Sequence, residues 1–167
     1  GLKGLDVGYG SSNNRSNFGF SAGGVQADGF SSTNPGNVWS YDPDDDGYKN
    51  SHLNLNAGTH LGKQSLRFSG IITSAETEFD QGVSDAENFS WATSLAGPIT
   101  EPWNHTLSIG QANEKIATPA YFNTFGSNRY SADWNNTLNI RDGLITGFGI
   151  NWSQESGYSD SFGANEY

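Results

Sequence analysis

The sequence predicts an all-β protein, an antiparallel up-and-down membrane β-barrel of about eight strands in a single domain that covers residues 1–167. Apolar and polar residues alternate along eight segments, which is the period of a β-strand. The connections between these segments are alternately short and long, as they are in outer-membrane barrels. Hydrophobic residues make up only 34% of the chain while aromatic residues make up 13%, a composition that favours β-strands with two solvated or lipid-exposed faces over a soluble core or a disordered chain.

The first half of the chain contains four predicted strands. They cover residues 2–11, 17–27, 48–61 and 65–72. The third is the clearest, because leucines at 53, 55 and 61 alternate with polar residues at 52, 54 and 60. Gly62-Lys63 is a hairpin signal between the third and fourth strands. Residues 28–46 are rich in Gly, Ser, Asn, Pro and Asp, and we expect a long loop there.

The second half contains four more predicted strands, at 89–96, 105–111, 130–140 and 144–153. Short turns join the fifth to the sixth and the seventh to the eighth. The polar residues up to Asn88 and the segment 112–126 predict a second and a third long loop, and the chain after 153 reads as a polar tail. All 18 acidic residues except Asp6, Glu101, Asp133 and Asp142 lie in or beside these long connections and the tail, so we expect charge at one rim.

Composition excludes several classes of function. Cysteine and methionine are both absent, which excludes disulfides and thiolate-ligated zinc. A net charge of −10 argues against nucleic acid as a partner, since little positive charge is available to neutralise phosphates. No apolar run is long enough for a membrane helix, and no secretory signal is present, so we expect a mature chain or a fragment.

The acidic hexapeptide 42–47, Asp-Pro-Asp-Asp-Asp-Gly, is the strongest candidate site. Carboxylates this close repel one another unless a cation lies among them. Aspartates at alternate positions followed by glycine present hard oxygen ligands around one point, which suits calcium. Leu53 occupies the twelfth position, where an EF-hand has a bidentate Glu, so the remaining ligands would come from Asp28 or from the acidic run 76–87. The alternative is a solvated acidic loop.

Two other kinds of site are weaker. His52 and His60 are eight residues apart on one strand, or about 26 Å, so they cannot share a zinc ion. Glu76, Glu78 and Asp80 could be hydrolase carboxylates, but nothing in the sequence indicates a raised pKa in one of them. We therefore expect that the protein is not an enzyme.

Several segments resemble one known family. They are DGFS at 28–31, YDPDDDGY at 41–48, EFD at 78–80, GPIT at 97–100 and HTLSIG at 105–110. With their strand context, these segments are similar to the early barrel strands of TonB-dependent outer-membrane receptors, and within them to the cobalamin transporter branch. The Asp-rich loop is the most specific part of this resemblance.

The resemblance implies a bacterial outer-membrane location, lipid contact and a small-molecule ligand such as a corrinoid. It also implies that aspartates of neighbouring external loops bind calcium and order those loops. The ligands implied in this way are Asp28, Asp44, Asp46, Asp80 and Asp85, with Asp42 as an extra candidate. TonB would act only through a plug domain. The plug and about fourteen of some twenty-two strands have no counterpart here, so we expect a barrel piece or a shortened barrel.

A second class of protein would account for part of the same pattern. A secreted, calcium-containing β-sandwich could bind carbohydrate through its tryptophans at 39, 91, 103, 134 and 152. It would explain the aromatic residues and the acidity. It would leave unexplained why one strand face is so uniformly Asn, Ser, Gly and Thr, which a hydrated lumen would explain.

Overall fold

The computed structural model describes residues 1–31, 33–36, 41–80, 82–160 and 163–166, and it consists of one antiparallel β-sheet. Nine strands lie side by side in the order in which they occur along the chain. This arrangement confirms the predicted all-β, up-and-down topology. The strands are β1 Leu2–Ser12, β2 Ser16–Ala27, β3 Tyr48–Leu61, β4 Gln64–Phe79, β5 Gly82–Thr100, β6 Trp103–Thr118, β7 Asn123–Arg141, β8 Leu144–Ser159 and β9 Gly163–Glu166, with a 3-10 helix at Pro119–Tyr121.

The second and third predicted long loops are wrong, and the polar segment after 153 contains strand structure. β4 and β5 continue to a tight turn after Phe79, β6 and β7 are joined through Pro119–Tyr121, and β8 extends to Ser159. Among the described strands, only β2 and β3 are joined by a long connection. The strands β5 and β7 have 19 residues each, whereas a bilayer needs about 9 to 11. Residues 82–88 of β5 and 123–129 of β7 are mostly polar on both faces, apart from Val83 and Phe125. They are still paired in the ladder, which is why polarity alone misidentified them as loops.

The register divides the side chains into two faces, named here the apolar face and the polar face. On β3 the apolar face carries Leu53 and Leu55, and the polar face carries His52, Asn54 and Asn56. Residues directly opposite one another in the ladder share a face. The apolar face continues through Phe20, Val7, Phe68, Ile72, Phe89, Trp91, Ile109, Trp134, Ile150 and Trp152. The polar face continues through Asp6, Ser21, Ser69, Ser90, Ser108, Ser131, Asp133 and Asn151.

The described residues contain no buried hydrophobic side chain. Leu5 is 72% exposed and Ile150 is 64% exposed, although both lie on the apolar face. A β-sandwich requires a second sheet packed about 10 Å away, with apolar side chains interdigitating between the layers. The described part of the chain forms a single sheet, so it does not have the architecture of the carbohydrate-binding alternative.

The strands are tilted relative to the rims of the sheet. One hydrogen-bonded row runs from Tyr9 on β1 to Gln154 on β8. Tyr9 lies three residues before the end of β1 at Ser12, whereas Gln154 lies ten residues after the start of β8 at Leu144. This stagger of seven residues over seven strand steps, at about 3.3 Å per residue and 4.8 Å between strands, corresponds to a tilt of about 35°. Such a tilt is typical of β-barrels.

The sheet is open in the structure. β1 and β9 lie at its two edges, and no pairing between them closes a ring among the described residues. The predicted strand count of about eight is close to the nine observed, of which β9 has only four residues. In the described part of the chain there is no helix with the length and hydropathy to span a membrane.

Candidate functional site

The long connection and most acidic residues lie at one rim, named here the acidic rim. It contains the ends of β2, β4, β6 and β8 and the starts of β3, β5 and β7. The opposite edge, named here the turn rim, contains the tight turns at 13–15, 62–63, 101–102 and 142–143. Asp142 and Glu101 are the acidic residues in these turns. The expected collection of negative charge at one rim is therefore present.

The two ends of the long connection are packed against each other. Gly29 has φ +75°, and a Cβ at this position would collide with the backbone carbonyl of Asp46. The amide of Asp46 donates to the carbonyl of Phe30 at 3.4 Å. Glycine is needed here because its left-handed conformation and missing side chain let the two backbones approach. Asp28 and Asp46, which are 18 positions apart in sequence, thus lie on adjoining backbone segments.

Glu78 fixes the end of the acidic segment to β4. The amide of Gly47 donates to Glu78 Oε2 at 3.0 Å, and the amide of Glu78 donates to the carbonyl of Gly47 at 2.9 Å. Gly47 itself is buried. The carboxylate of Glu78 therefore already has a backbone partner. The sequence placed Glu78 only in a general acidic run, because its reciprocal pairing with Gly47 depends on the β3–β4 register.

Asp42 is held by hydroxyl groups from the start of the connection. Ser31 Oγ and Thr33 Oγ1 donate to the carbonyl of Asp42 at 2.6 and 3.1 Å. The amide of Asp44 donates to Asp42 Oδ1 at 3.5 Å. The hydrogen bond with the Asp42 side chain, together with desolvation and the negative charges of Asp42 and Asp46, raises the pKa of the Asp44 carboxyl above its usual range.

Asp80 and Asp85 lie on the neighbouring hairpin. Asp80 is in the turn that follows β4, and Asp85 is an exposed residue of β5 directly opposite Glu76. Glu76 Oε1 accepts a hydrogen bond from Lys49 Nζ at 2.6 Å. Asp85 therefore lies beside the Lys49–Glu76 ion pair on the apolar-face side of the sheet. On β5 it lies between the acidic rim and the apolar residues.

The six predicted calcium ligands all lie at the acidic rim. In the parts of the chain that the structure describes, no group of three or more Asp, Glu or His side chains converges in a metal-binding arrangement. The backbone brings Asp28 to Asp46 and crowds Asp42 against Asp44, but it leaves Asp80 and Asp85 on a separate hairpin. The donor set consists of carboxylate oxygens, which suits calcium. Calcium binding stays a prediction.

The four described tryptophans, at 91, 103, 134 and 152, all lie on the apolar face. Trp39 lies outside the described residues. Near the turn rim, Trp134 Nε1 donates to His105 Nδ1 at 3.4 Å, and His105 Nε2 lies 3.2 Å from Gln64 Oε1. Indole rings with polar partners near the edge of an apolar band are typical of the aromatic girdle of outer-membrane barrels. The His105–Gln64 contact was not predictable, because it depends on alignment across β4, β5 and β6.

Comparison with known proteins gives one informative similarity. No protein-family model matches the sequence. The chain is 27% identical over 139 residues to the Vitamin B12 transporter BtuB of Photobacterium profundum, and the match covers 78% of this chain. The chain spans about a fifth of the length of this relative, 22%. The match supports a distant relation to TonB-dependent receptors, the family that the sequence pattern resembles.

Proposed function

We propose that this chain is a barrel segment of an outer-membrane receptor that takes up a small molecule of the cobalamin type. The observation that carries the proposal is the division of one tilted sheet into an apolar face and a polar face, with no dry core between layers in the part of the chain that the structure describes. A membrane barrel requires this division, because one face meets lipid and the other lines the lumen.

The apolar face supports contact with lipid. Exposed apolar patches of soluble monomers rarely exceed a few hundred Å². Here, every strand from β1 to β8 carries at least one exposed large apolar or aromatic side chain on the apolar face. At about 25 cal/mol per Å², leaving this surface in water would be unfavourable for every strand, whereas a bilayer would cover it. The outer-membrane location is the coarse implication of the similarity to BtuB.

The polar face supports a water-filled lumen. An open depression of about 640 Å³ lies there, and its lining combines polar side chains with apolar ones, among them Asn54, Asn56, Ser69, Ile71 and Ala92. A ligand would pass this face only when the remaining strands complete a wider barrel, since a closed eight-stranded barrel is filled by its own side chains. The likeness to the vitamin B12 transporter supports a corrinoid as the proposed ligand. TonB would act through a plug outside this sequence.

Calcium would order the acidic rim in this proposal. Asp28, Asp42, Asp44 and Asp46 supply carboxylates on adjoining backbone segments, and the neighbouring hairpin supplies Asp80 and Asp85. The hydrogen bond with the Asp42 side chain is the main cause of the raised pKa of Asp44, and the negative charges of Asp42 and Asp46 add to it. A divalent cation would offset these negative charges. The ordered connection would then present a fixed surface to the ligand.

Tryptophan fluorescence tests the membrane assignment directly. Four described tryptophans lie on the apolar face, so lipids brominated on their acyl chains should quench most of the emission after reconstitution into vesicles. Aqueous acrylamide should quench little of it. The alternative is a soluble calcium-containing carbohydrate-binding module, which would stay monodisperse without detergent and show the reverse quenching pattern. That result would exclude the barrel proposal.

A further inference from the structure

Arg67 of β4 is an exposed cation on the polar face. It lies three residues after Gln64, the first residue of the strand. At about 3.3 Å per residue and a tilt of about 35°, this places it roughly 8 Å above the turn rim. Among the described residues, none accepts a hydrogen bond from its guanidinium or forms an ion pair with it. The charge is therefore available to a ligand.

The polar face around Arg67 carries no acid, although the chain has 18 acidic and only 8 basic residues. Gly58 and Ser94 lie directly opposite Arg67 on β3 and β5. The six further neighbours, diagonal to Arg67 or two residues away on β4, are Asn, Ser, Ala and His residues. The next acid in the row is Asp133, three strand steps or about 14 Å away, and it already accepts a hydrogen bond from Asn151 Nδ2.

The guanidinium lines an open depression of about 480 Å³. Gly58 keeps it open on one side, because an added Cβ there would be 2.8 Å from Oδ1 of Asn17. Asn17, Gly58 and Arg67 follow one another in a row, so the Asn17 amide leans across β3 towards Arg67. The remaining lining consists of Asn56, serines at 69, 94 and 108, three apolar residues and a threonine.

The polar groups of this depression suit an oxyanion. A guanidinium presents a planar fork of N–H groups that matches the oxygens of a carboxylate or a phosphate. Serine hydroxyls and asparagine amides can donate to the oxygens that the fork leaves free. A metal cation would be repelled by Arg67, and an uncharged ligand would form only the weaker, uncharged hydrogen bonds.

We propose that the depression at Arg67 binds the phosphate or carboxylate group of a solute on the lumen wall near the turn rim. Most acidic residues lie at the opposite rim, so an anion is repelled less at Arg67 than near the acidic rim. The inference goes beyond the uptake of a cobalamin-type molecule, and it rests on the proposed function only in treating the polar face as the wall of a lumen.

Arg129 of β7 provides the matched control. It is also exposed on the polar face, and it too has no hydrogen bond or ion pair within the described parts of the chain. However, Glu155 lies directly opposite it on β8, and Glu114 lies diagonal to it on β6. These carboxylates would repel an anionic ligand. Arg129→Gln therefore removes the same charge from the same face and leaves the depression at Arg67 unchanged.

Binding of radiolabelled inorganic phosphate tests the site, measured by equilibrium dialysis of the full chain in detergent micelles. The wild-type chain should bind phosphate, and succinate should displace it whereas the uncharged analogue succinamide should not. Arg67→Gln should weaken binding about ten- to hundredfold, because charge-assisted hydrogen bonds are lost. Arg67→Lys should have an intermediate affinity, since lysine keeps the charge but lacks the planar fork. Arg129→Gln should leave the affinity unchanged.

Ser94→Val is a second variant that keeps Arg67 in place. It removes a hydroxyl and fills the depression from the opposite strand, so it should also weaken phosphate binding. Heat-dependent gel mobility shows that each variant is folded. Failure of the wild-type chain to bind phosphate would overturn the site, as would equal losses in Arg67→Gln and Arg129→Gln or displacement by succinamide.

These results are separable from the receptor function. Lipid quenching of the tryptophans does not involve Arg67, so a chain that is quenched by brominated lipid but does not bind phosphate would overturn the anion site alone. Phosphate binding that depends on Arg67 in a chain that lipid does not quench would support the site and contradict the receptor function.

Discussion

The carboxylate of Asp6 lies 3.0 Å from Nε2 of His52, although β1 and β3 are not neighbouring strands. Gly23 of β2 lies between them in the same hydrogen-bonded row. Because Gly23 has no side chain, the Asp6 carboxylate crosses above the backbone of β2. The same arrangement, a polar side chain lying over a glycine of the neighbouring strand, recurs on the polar face at Asn17 over Gly58 and at Asn135 over Gly149.

Gly23→Ala should break the Asp6–His52 contact. The new Cβ would collide with the Asp6 carboxylate and would lie 2.7 Å from the carbonyl oxygen of Leu5, which cannot move without disturbing β1. Overpacking of this kind costs about 1 to 3 kcal/mol. The free energy of unfolding, measured by urea titration of the reconstituted chain, should fall by that amount.

Gly157→Ala is the control for this substitution. Gly157 is also a strand glycine on the polar face, but the nearest atom to an added Cβ is 3.7 Å away, which is an ordinary contact. If both variants lose the same stability, the effect of Gly23→Ala comes from strand propensity and not from the crossing carboxylate.

Lysine substitutions at two adjacent residues of β6 distinguish the apolar face from the polar face. Ile109 lies on the apolar face and is 46% exposed, while Ser108 lies on the polar face opposite Asp133. Ile109→Lys should destabilise the protein in vesicles by about 2 to 4 kcal/mol, because a lysine near the bilayer midplane is costly. Ser108→Lys should cost less than about 1 kcal/mol, since water and the carboxylate of Asp133 would surround it. The folded fraction in urea, read from heat-dependent gel mobility, measures both.

A soluble protein would give a different result for this pair. Without lipid, an exposed Ile109→Lys would be nearly neutral, because a solvated lysine costs little on a sheet surface. Equal stabilities of the two variants would therefore contradict lipid contact at β6.

The alternation of residue types was sufficient to predict most of the fold. Leu53, Leu55 and their polar neighbours predict both the strand and the identity of its faces, because a period of two is a local property of the sequence. The halves of β4 to β8 that adjoin the acidic rim could not be recognised in the same way. There, Glu76, Asp85 and Glu87 lie on the same face as the apolar residues that occur nearer the turn rim. The alternation of apolar and polar residues therefore disappears while the ladder continues.

The candidate site was predictable only in part. The hexapeptide 42–47 is visible because its charges are adjacent in sequence. The packing of Gly29 on Asp46 and the bond between Gly47 and Glu78 depend on how β2, β3 and β4 pair. The stacking of Phe79 on Tyr121 joins residues 42 positions apart, and nothing local distinguishes these rings from those of the girdle.

Asp44→Asn should reduce calcium affinity on the order of tenfold or more, as the loss of a single group at a metal site commonly does. The raised pKa of Asp44 means that the folded protein binds this proton more tightly than the unfolded chain does. In the absence of calcium, the contribution of Asp44 to stability is therefore present at low pH and is lost as pH rises through the raised pKa. Calcium affinity should increase over the same pH range.

Isothermal titration of the reconstituted chain with calcium, repeated between about pH 4 and pH 7 to span the raised carboxyl pKa, measures this dependence. Asp142→Asn removes the same charge at the turn rim and should leave the titration unchanged. A solvated acidic loop would predict equal, weak heats for the wild type and both variants, and that result would exclude the calcium site.

Asn136→Leu should stabilise the protein by about 1 kcal/mol. Asn136 is 4% exposed, its Oδ1 accepts a bond of 2.9 Å from Trp103 Nε1, and its Nδ2 has no protein partner among the described residues. A buried, unsatisfied donor costs about 1 to 3 kcal/mol, and leucine removes it while filling a similar volume on the apolar face. Trp103 is only partly buried, so its N–H can bond to water or lipid head groups after the substitution.

The urea midpoint in vesicles measures this gain, and Asn139→Leu is the comparison because Asn139 lies on β7 with its side chain on the polar face. Asn139→Leu should be neutral or destabilising, since it exposes an apolar side chain to water. A loss of stability above about 1 kcal/mol in Asn136→Leu would mean that Nδ2 donates to a bound water, because removal of a satisfied buried amide leaves its partners unpaired.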